Sequence, residues 1–272
     1  MRRKTAMIDV SVFIGIISGC YLLLTAIGIE TGMKLFYHPA SMLIVLGGTV
    51  CATLVHFPVT QLFKLYGRLK VVFKPSAINY KKDIDHIMKL SNTYRQESRL
   101  ALEKELPKIN DHFLKHGLEL LIDNVDPDEI KNMLEKNLSF IEIRHEQGIH
   151  FFDTMAQYAP GFGFMGTLIG LVMLLSELEN PENLGPSMST ALVTTFYGIL
   201  LANLIFLPLA GRLRIVSNEE VVQKKMYIEG IYAMANNETN YMVFEKMTMC
   251  LPDKERKKVG DSKQKPSAKK NA

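Results

Sequence analysis

The chain has 272 residues, 47% of them apolar and 22% charged, with a formal net charge of +4. So small a charge, part of it in a lysine-rich C-terminal stretch, gives no footing for nucleic-acid binding. Three scattered cysteines (Cys20, Cys51 and Cys250) match neither a disulfide framework nor a cysteine-ligated metal cluster.

After a basic start at Met1–Lys4, residues 10–29 are apolar and uncharged. A secretory signal also has a basic start and an apolar middle, but this run is longer than a signal core and no small-x-small cleavage site follows it. It reads as a first transmembrane helix. A short loop with Glu30, Lys34 and His38 leads to a second apolar run, Pro39 to Phe57, with Gly47 and Gly48 in its middle. Residues 59–151 are rich in both charge signs and helical in pattern, with Ile84, Ile87 and Met88 at helical spacing. Asp126-Pro127-Asp128-Glu129 is a helix start: Asp126 can cap, proline fits the first turn, and acids there suit the helix dipole. Nothing interrupts the pattern from Asp128 to Ala159, so one long helix is predicted to enter a third span, with a kink at Pro160.

The third and fourth spans are Gln157 to Leu178 and Met188 to Arg212, joined by the polar stretch Glu179 to Ser187. Each has the length of about 20 residues that crosses a hydrocarbon core of about 30 Å. Gly161, Gly163, Gly166 and Gly170 in the third let helix backbones approach closely. After Arg214 an amphipathic helix is predicted, with Val221, Val222, Met226, Ile228 and Ile231 on its apolar side, followed from Asp253 by a coreless, disordered basic tail. The organisation predicted is therefore all-α: spans one and two in 1–58, a helical cytoplasmic domain in 59–151, spans three and four in 152–213, a cytoplasmic helix in 214–252 and the tail in 253–272.

Lys and Arg set orientation by favouring the cytoplasmic side. Arg2, Arg3 and Lys4 precede the first span. Lys64, Arg68, Lys70 and Lys74 follow the second, and Arg212 and Arg214 follow the fourth. The loop after the first span holds only Lys34, and that after the third holds no Lys or Arg. Four spans with both termini cytoplasmic fit all of this.

Gly161-Phe162-Gly163-Phe164-Met165-Gly166 fits the dinucleotide pattern G-x-G-x-x-G, but no strand precedes it and it lies in a membrane-length apolar run, so helix packing explains it. The hydroxyls Thr167, Thr190, Thr194, Thr195 and Tyr197 either bond their own helices or form a polar stripe offering oxygens to a small hard cation. No Asp, Glu, Lys or Arg occurs within the four apolar cores. Ion relays across membranes use ionisable groups, so this chain either moves no ions or takes its carboxylate from a partner. Arg95, Arg99 and Glu103, spaced by four, are predicted to share one flank of a soluble helix.

Tyr158-Ala159-Pro160, Gly163, the run Gly166 to Leu171, Gly185-Pro186, Thr194-Thr195-Phe196-Tyr197-Gly198 and Phe206 to Ala210 together resemble the MotA/PomA family of flagellar stator proteins. The resemblance extends from the first span to about Pro252. It implies a subunit without enzymatic activity or cofactor. Several copies, as a pentamer, would surround a dimer of a MotB/PomB-type single-span partner that carries the membrane aspartate. It also implies that Arg95, Arg99 and Glu103 contact the rotor switch protein FliG, although Gln96 stands where the family often has a second basic residue. Pro160 and Pro208 match prolines that couple ion flow to movement. Thr167 and the Thr194 to Gly198 run are similar to the sodium-driven branch, with a proton-driven stator as the alternative. A related ExbB/TolQ-like energy-transducing subunit would have three spans and no Arg95 to Glu103 segment. A self-contained transporter would need its own acid or broken helices in repeated halves.

Overall fold

The computed structural model describes residues 10–28, 36–58, 78–97, 99–179 and 181–260. The basic start, the loop with Glu30 and Lys34, the run Lys64 to Lys74 and the tail beyond Gly260 lie outside these residues. Among the described residues all regular structure is helical. The chain divides into two compact units, one drawn from Met1–Pro75 and His145–Val216, the other from Ser76–Arg144 and Ser217–Ala272.

The first unit holds α1 (Val10–Ile27) and α2 (Pro39–His56). His38 caps α2: its Nδ1 accepts the Ser41 N–H at 3.2 Å, and Pro39 opens the helix where a missing N–H costs nothing. Leu43–Gly47 within α2 is wound as π-helix. The unit also contains the C-terminal part of α6 (Pro127–Ser176), then α7 (Pro181–Leu200), a second π segment at Leu201–Phe206, and the start of α8 (Leu207–Ala235). Among the described residues three helices, Pro39–His56, Pro127–Ser176 and Leu184–Ala235, are long and apolar enough to cross a membrane, whereas the apolar stretch Ile14–Ile27 of α1 is shorter. Small residues set the packing. A Cβ on Gly48 would meet the Phe162 ring at 2.2 Å, and one on Gly19 would meet Leu204 at 2.7 Å. Ile149, Phe152, Ala156 and Ala159 of α6 bury against Ala202, Phe206 and Ala210.

The polar stretch before the fourth span is shorter than its composition implied. Helix α7 begins at Pro181, where a missing N–H sacrifices no intrahelical bond, and continues through Pro186, which forgoes one.

The second unit holds α3 (Tyr80–Gln96), α4 (Arg99–Glu105), α5 (His112–Ile122), α9 (Asn240–Met249) and α10 (Asp253–Gly260), with the first part of α6 and the last part of α8. Asn79 caps α3 through its side chain, Asp111 accepts the Phe113 and Leu114 N–H groups at the start of α5, and Asp126 accepts the Asp128 N–H at the start of α6. Ile84 and Ile87 of α3 bury with Leu118, Ile130, Leu134, Met226, Ile231 and Met247, each at most 1% exposed.

Two expectations are corrected here. The segment after Arg214 is not one helix: it stops at Ala235, turns through Asn237 at φ 53° and restarts as α9. Residues 253–260 form a helix rather than a coreless tail, with Val259 3% exposed. Pro252 O accepts the Glu255 and Arg256 N–H groups, and acids in the first turn with lysines in the last suit the dipole.

Among the described residues one lysine is interior. Lys224 Nζ lies 2.6 Å from Asp111 Oδ2, and its side chain is 7% exposed. It also sits 5.4 Å from the centroids of both Phe113 and Tyr227. Burial first, then the carboxylates of Asp83 and Asp111, push the Tyr227 phenol above its ordinary range. Lys224→Met would leave Asp111 without its cation and is expected to destabilise the unit by about 3 kcal/mol, the low end for a broken buried pair because Asp111 keeps some solvent. Thermal unfolding of detergent-solubilised protein, followed by circular dichroism, measures this. Adding Asp111→Asn should recover much of the loss, since no uncompensated charge then remains and the cap survives. A double variant as unstable as Lys224→Met alone would assign the loss to packing.

Candidate functional site

In the first unit, α6 and α7 meet along a row of small residues. A Cβ on Gly163 would lie 3.0 Å from Thr194 O, one on Gly170 2.6 Å from Ala191 N, and one on Gly198 2.6 Å from Ala159 O. Backbones this close bring polar main-chain atoms to the same depth as the hydroxyls. Thr167 on α6 and Thr195 on α7 hydrogen-bond through their side-chain oxygens. Thr167 Oγ1 also lies 3.1 Å from Ala191 O and 3.2 Å from Gly163 O, and Thr195 Oγ1 lies 3.4 Å from each of the same carbonyls. Two hydroxyl and two carbonyl oxygens thus converge in a partly buried spot between membrane-length helices. Oxygen-only donors of this kind suit hard cations. The two carbonyls were not foreseen. The signal available was the glycine spacing, which allows the approach but does not say which carbonyls it exposes.

Of the other hydroxyls, Thr194 meets the cluster through a shared acceptor on its own helix, with Oγ1 3.0 Å from Ala191 O, while Thr190 and Tyr197 lie outside it. Thr194 Oγ1 donates to its own helix, 2.8 Å from Thr190 O, and the residue packs beneath Gly166, where a Cβ would meet it at 2.4 Å. Thr190 turns back to Pro186 O at 3.0 Å. Tyr197 donates its hydroxyl to Phe36 O, tying α7 to the residues before α2. The expected stripe of Thr190, Thr194 and Tyr197 is therefore divided between packing and a tie, because in an apolar setting each hydroxyl takes the nearest carbonyl.

Helix α6 runs on through Pro160, and Ala159 and Pro160 lie against Gly198. Pro208 lies two residues after the end of the π segment Leu201–Phe206. A proline ring clashes with the carbonyl four residues back in α-winding, and π-winding is one way to relieve it. Beside these helices, His56 Nδ1 is 2.9 Å from Tyr158 OH, and Arg214 donates to Asp153 at 3.0 Å.

In the second unit, Arg95, Arg99 and Glu103 are all exposed. They do not share one helix. Helix α3 ends at Gln96, so Arg95 lies in its last turn, while Arg99 and Glu103 lie on α4. Arg95 donates to Glu238 O at 3.2 Å and Arg99 to Asn124 Oδ1 at 2.5 Å. Elsewhere in this unit burial pushes the Cys250 thiol up, away from reactive-thiolate chemistry. Among the described residues no group of three or more His, Cys, Asp or Glu side chains is placed to hold a metal.

Residues 105–226 match the MotA/TolQ/ExbB proton channel family. The chain is 36% identical over 232 residues to motility protein A of Borreliella burgdorferi, covering 85% of this chain and 89% of that one. It is 32% identical over 235 residues to the chemotaxis protein PomA of Vibrio alginolyticus, covering 85% and 90%. A solved structure, the flagellar MotAB stator complex of Bacillus subtilis, aligns with a TM-score of 0.83 at 29% identity, covering 91% of this chain and 98% of that one.

Proposed function

The chain belongs to the MotA/TolQ/ExbB family, whose members are channel components and not enzymes, and from that premise we propose that it is a flagellar stator subunit that turns inward sodium flow into torque. The observation that carries the reading is the oxygen cluster of Thr167, Thr195, Gly163 O and Ala191 O, in spans whose apolar cores contain no acidic residue. Hydroxyls and carbonyls replace part of a sodium ion's water shell, but they do not bind and release it against a membrane potential as a carboxylate can. A MotB/PomB-type partner supplies that carboxylate. The solved MotAB complexes that this chain resembles support the pairing, and a pentamer around a partner dimer gives each carboxylate a ring of equivalent oxygen clusters.

The charge bias of the flanking segments supports an inner-membrane protein with four spans and both termini cytoplasmic. Its cytoplasmic unit presents Arg95, Arg99 and Glu103 to FliG. Pro160 and Pro208 are the points where ion occupancy bends the helices. Proline removes a backbone bond inside a membrane helix, and the neighbouring π segment gives Pro208 a second geometry to move into.

Rotor contact is tested by Arg95→Glu and Glu103→Lys in a host lacking its own stator genes and supplied with this chain and its partner. Each is expected to reduce swimming by severalfold or more while membrane accumulation stays unchanged, because exposed charges contribute at most about 1 kcal/mol to folding. Loss of either protein from the membrane would make this face structural.

A further inference from the structure

The two arginines of the exposed face are held by turns of the same kind. Helix α5 ends in a turn where the Val125 N–H bonds Leu120 O at 3.2 Å and the Asn124 N–H bonds Leu121 O at 3.3 Å, with Asn124 at φ 58°. Helix α8 ends in a turn where the Glu238 N–H bonds Ala233 O and the Asn237 N–H bonds Met234 O, both at 3.0 Å, with Asn237 at φ 53°. Both are Schellman caps with asparagine in the left-handed position usually held by glycine. Asn124 and Asn237 are the positive-φ residues other than glycine among the described residues. Arg99 bonds the first turn and Arg95 the second.

The acceptors differ in a way that matters. Arg95 is met by a backbone carbonyl, which any residue at that position would provide. Arg99 is met by the side chain of Asn124 itself. Glycine would satisfy the left-handed backbone better than asparagine does, so the turn alone gives no reason for a side chain here. The turn is also a firm base, because Leu121 is 2% exposed and Val125 packs against the core of the unit.

We propose that Asn124 is a positioning residue for torque generation: its amide oxygen holds the Arg99 guanidinium in the orientation that meets an acidic group of the rotor, without neutralising it. This rests on the proposed function, in which Arg99 faces the rotor. A neutral acceptor suits the task. It takes up one of the five guanidinium N–H donors and restrains a long side chain, leaving the charge and the other donors for a carboxylate. An aspartate at the same place would restrain the arginine equally but pair with it and compete with the rotor.

Asn124→Gly, Asn124→Asp, Arg99→Ala and the double variant Asn124→Asp with Arg99→Ala separate these roles, each in the full chain with its partner in a stator-deleted host. Asn124→Gly is expected to preserve membrane accumulation and lower swimming speed. Asn124→Asp is expected to lower it further, by about two- to fivefold, the span of a single exposed charge pair. In the Arg99→Ala background, Asn124→Asp should add nothing, because the residue acts through Arg99. If Arg99→Ala slows the motor and Asn124→Asp slows it by the same factor again, the positioning role is overturned while the rotor-facing reading stands. Full speed in Arg99→Ala itself overturns that reading for Arg99, and the positioning role with it.

Discussion

Gly198→Ala is expected to abolish motility and sharply reduce the amount of folded protein in the membrane. The added Cβ would lie 2.6 Å from Ala159 O and 3.1 Å from the Cα atoms of both Gly163 and Pro160. All three are backbone atoms, so no side chain can rotate away and the two helices must separate. Overpacking of this kind costs about 1–3 kcal/mol in a soluble core, and here nothing offsets it. Helices in lipid associate by close packing, since burial from lipid brings no hydrophobic gain. Separation would also pull Thr167 and Thr195 apart, so function should suffer even where the protein survives. Gly211→Ala is the control, because a Cβ there meets nothing within 4 Å. Membrane accumulation and the aggregation temperature in detergent should drop for Gly198→Ala and not for Gly211→Ala. Equal behaviour of the two would mean that the α6–α7 contact does not limit stability.

Thr167→Ala and Thr195→Ala should leave the complex assembled but raise the sodium concentration needed for half-maximal swimming. Each removes one of the converging oxygens. A lost oxygen contact is worth about 0.5–1.5 kcal/mol net, which corresponds to a two- to tenfold shift by the usual factor of ten per about 1.4 kcal/mol. Thr194→Val is the contrasting change: it removes a hydroxyl whose acceptors, Thr190 O and Ala191 O, both belong to its own helix, so swimming should keep its sodium dependence. Swimming speed is measured against sodium at constant ionic strength, with and without a protonophore. The unmodified protein should respond to sodium and tolerate the protonophore. A flat response, with swimming lost to the protonophore, would identify a proton-driven stator and return both threonines to helix packing.

Much of this was legible in the chain because the signals are local. Apolar runs and the lysine and arginine residues flanking them mark membrane-length helices without reference to anything distant. Asp126-Pro127 announced the start of α6, since a cap and a first-turn proline act within one turn. The apolar positions Ile84, Ile87, Met226 and Ile231 all proved to be core. The local signal failed where two elements compete. Arg95, Arg99 and Glu103 keep helical spacing, yet the helix breaks at Glu97 and each arginine is taken by a turn from another part of the chain.

The chain by itself determined the all-α class, the apolar spans, the absence of an acid within their cores and the residue types able to meet a cation. Only the tertiary structure decided which of those residues meet. Thr167 and Thr195 lie 28 positions apart and touch because Gly163, Gly170 and Gly198 let two backbones come within van der Waals distance. Thr194, one residue from Thr195, points instead under Gly166 and bonds its own helix. Adjacent residues on a helix point about 100° apart, so a one-residue difference decides between a shared oxygen cluster and a packing contact. That choice depends on how the facing helix is rotated, and spacing within a single segment does not encode it.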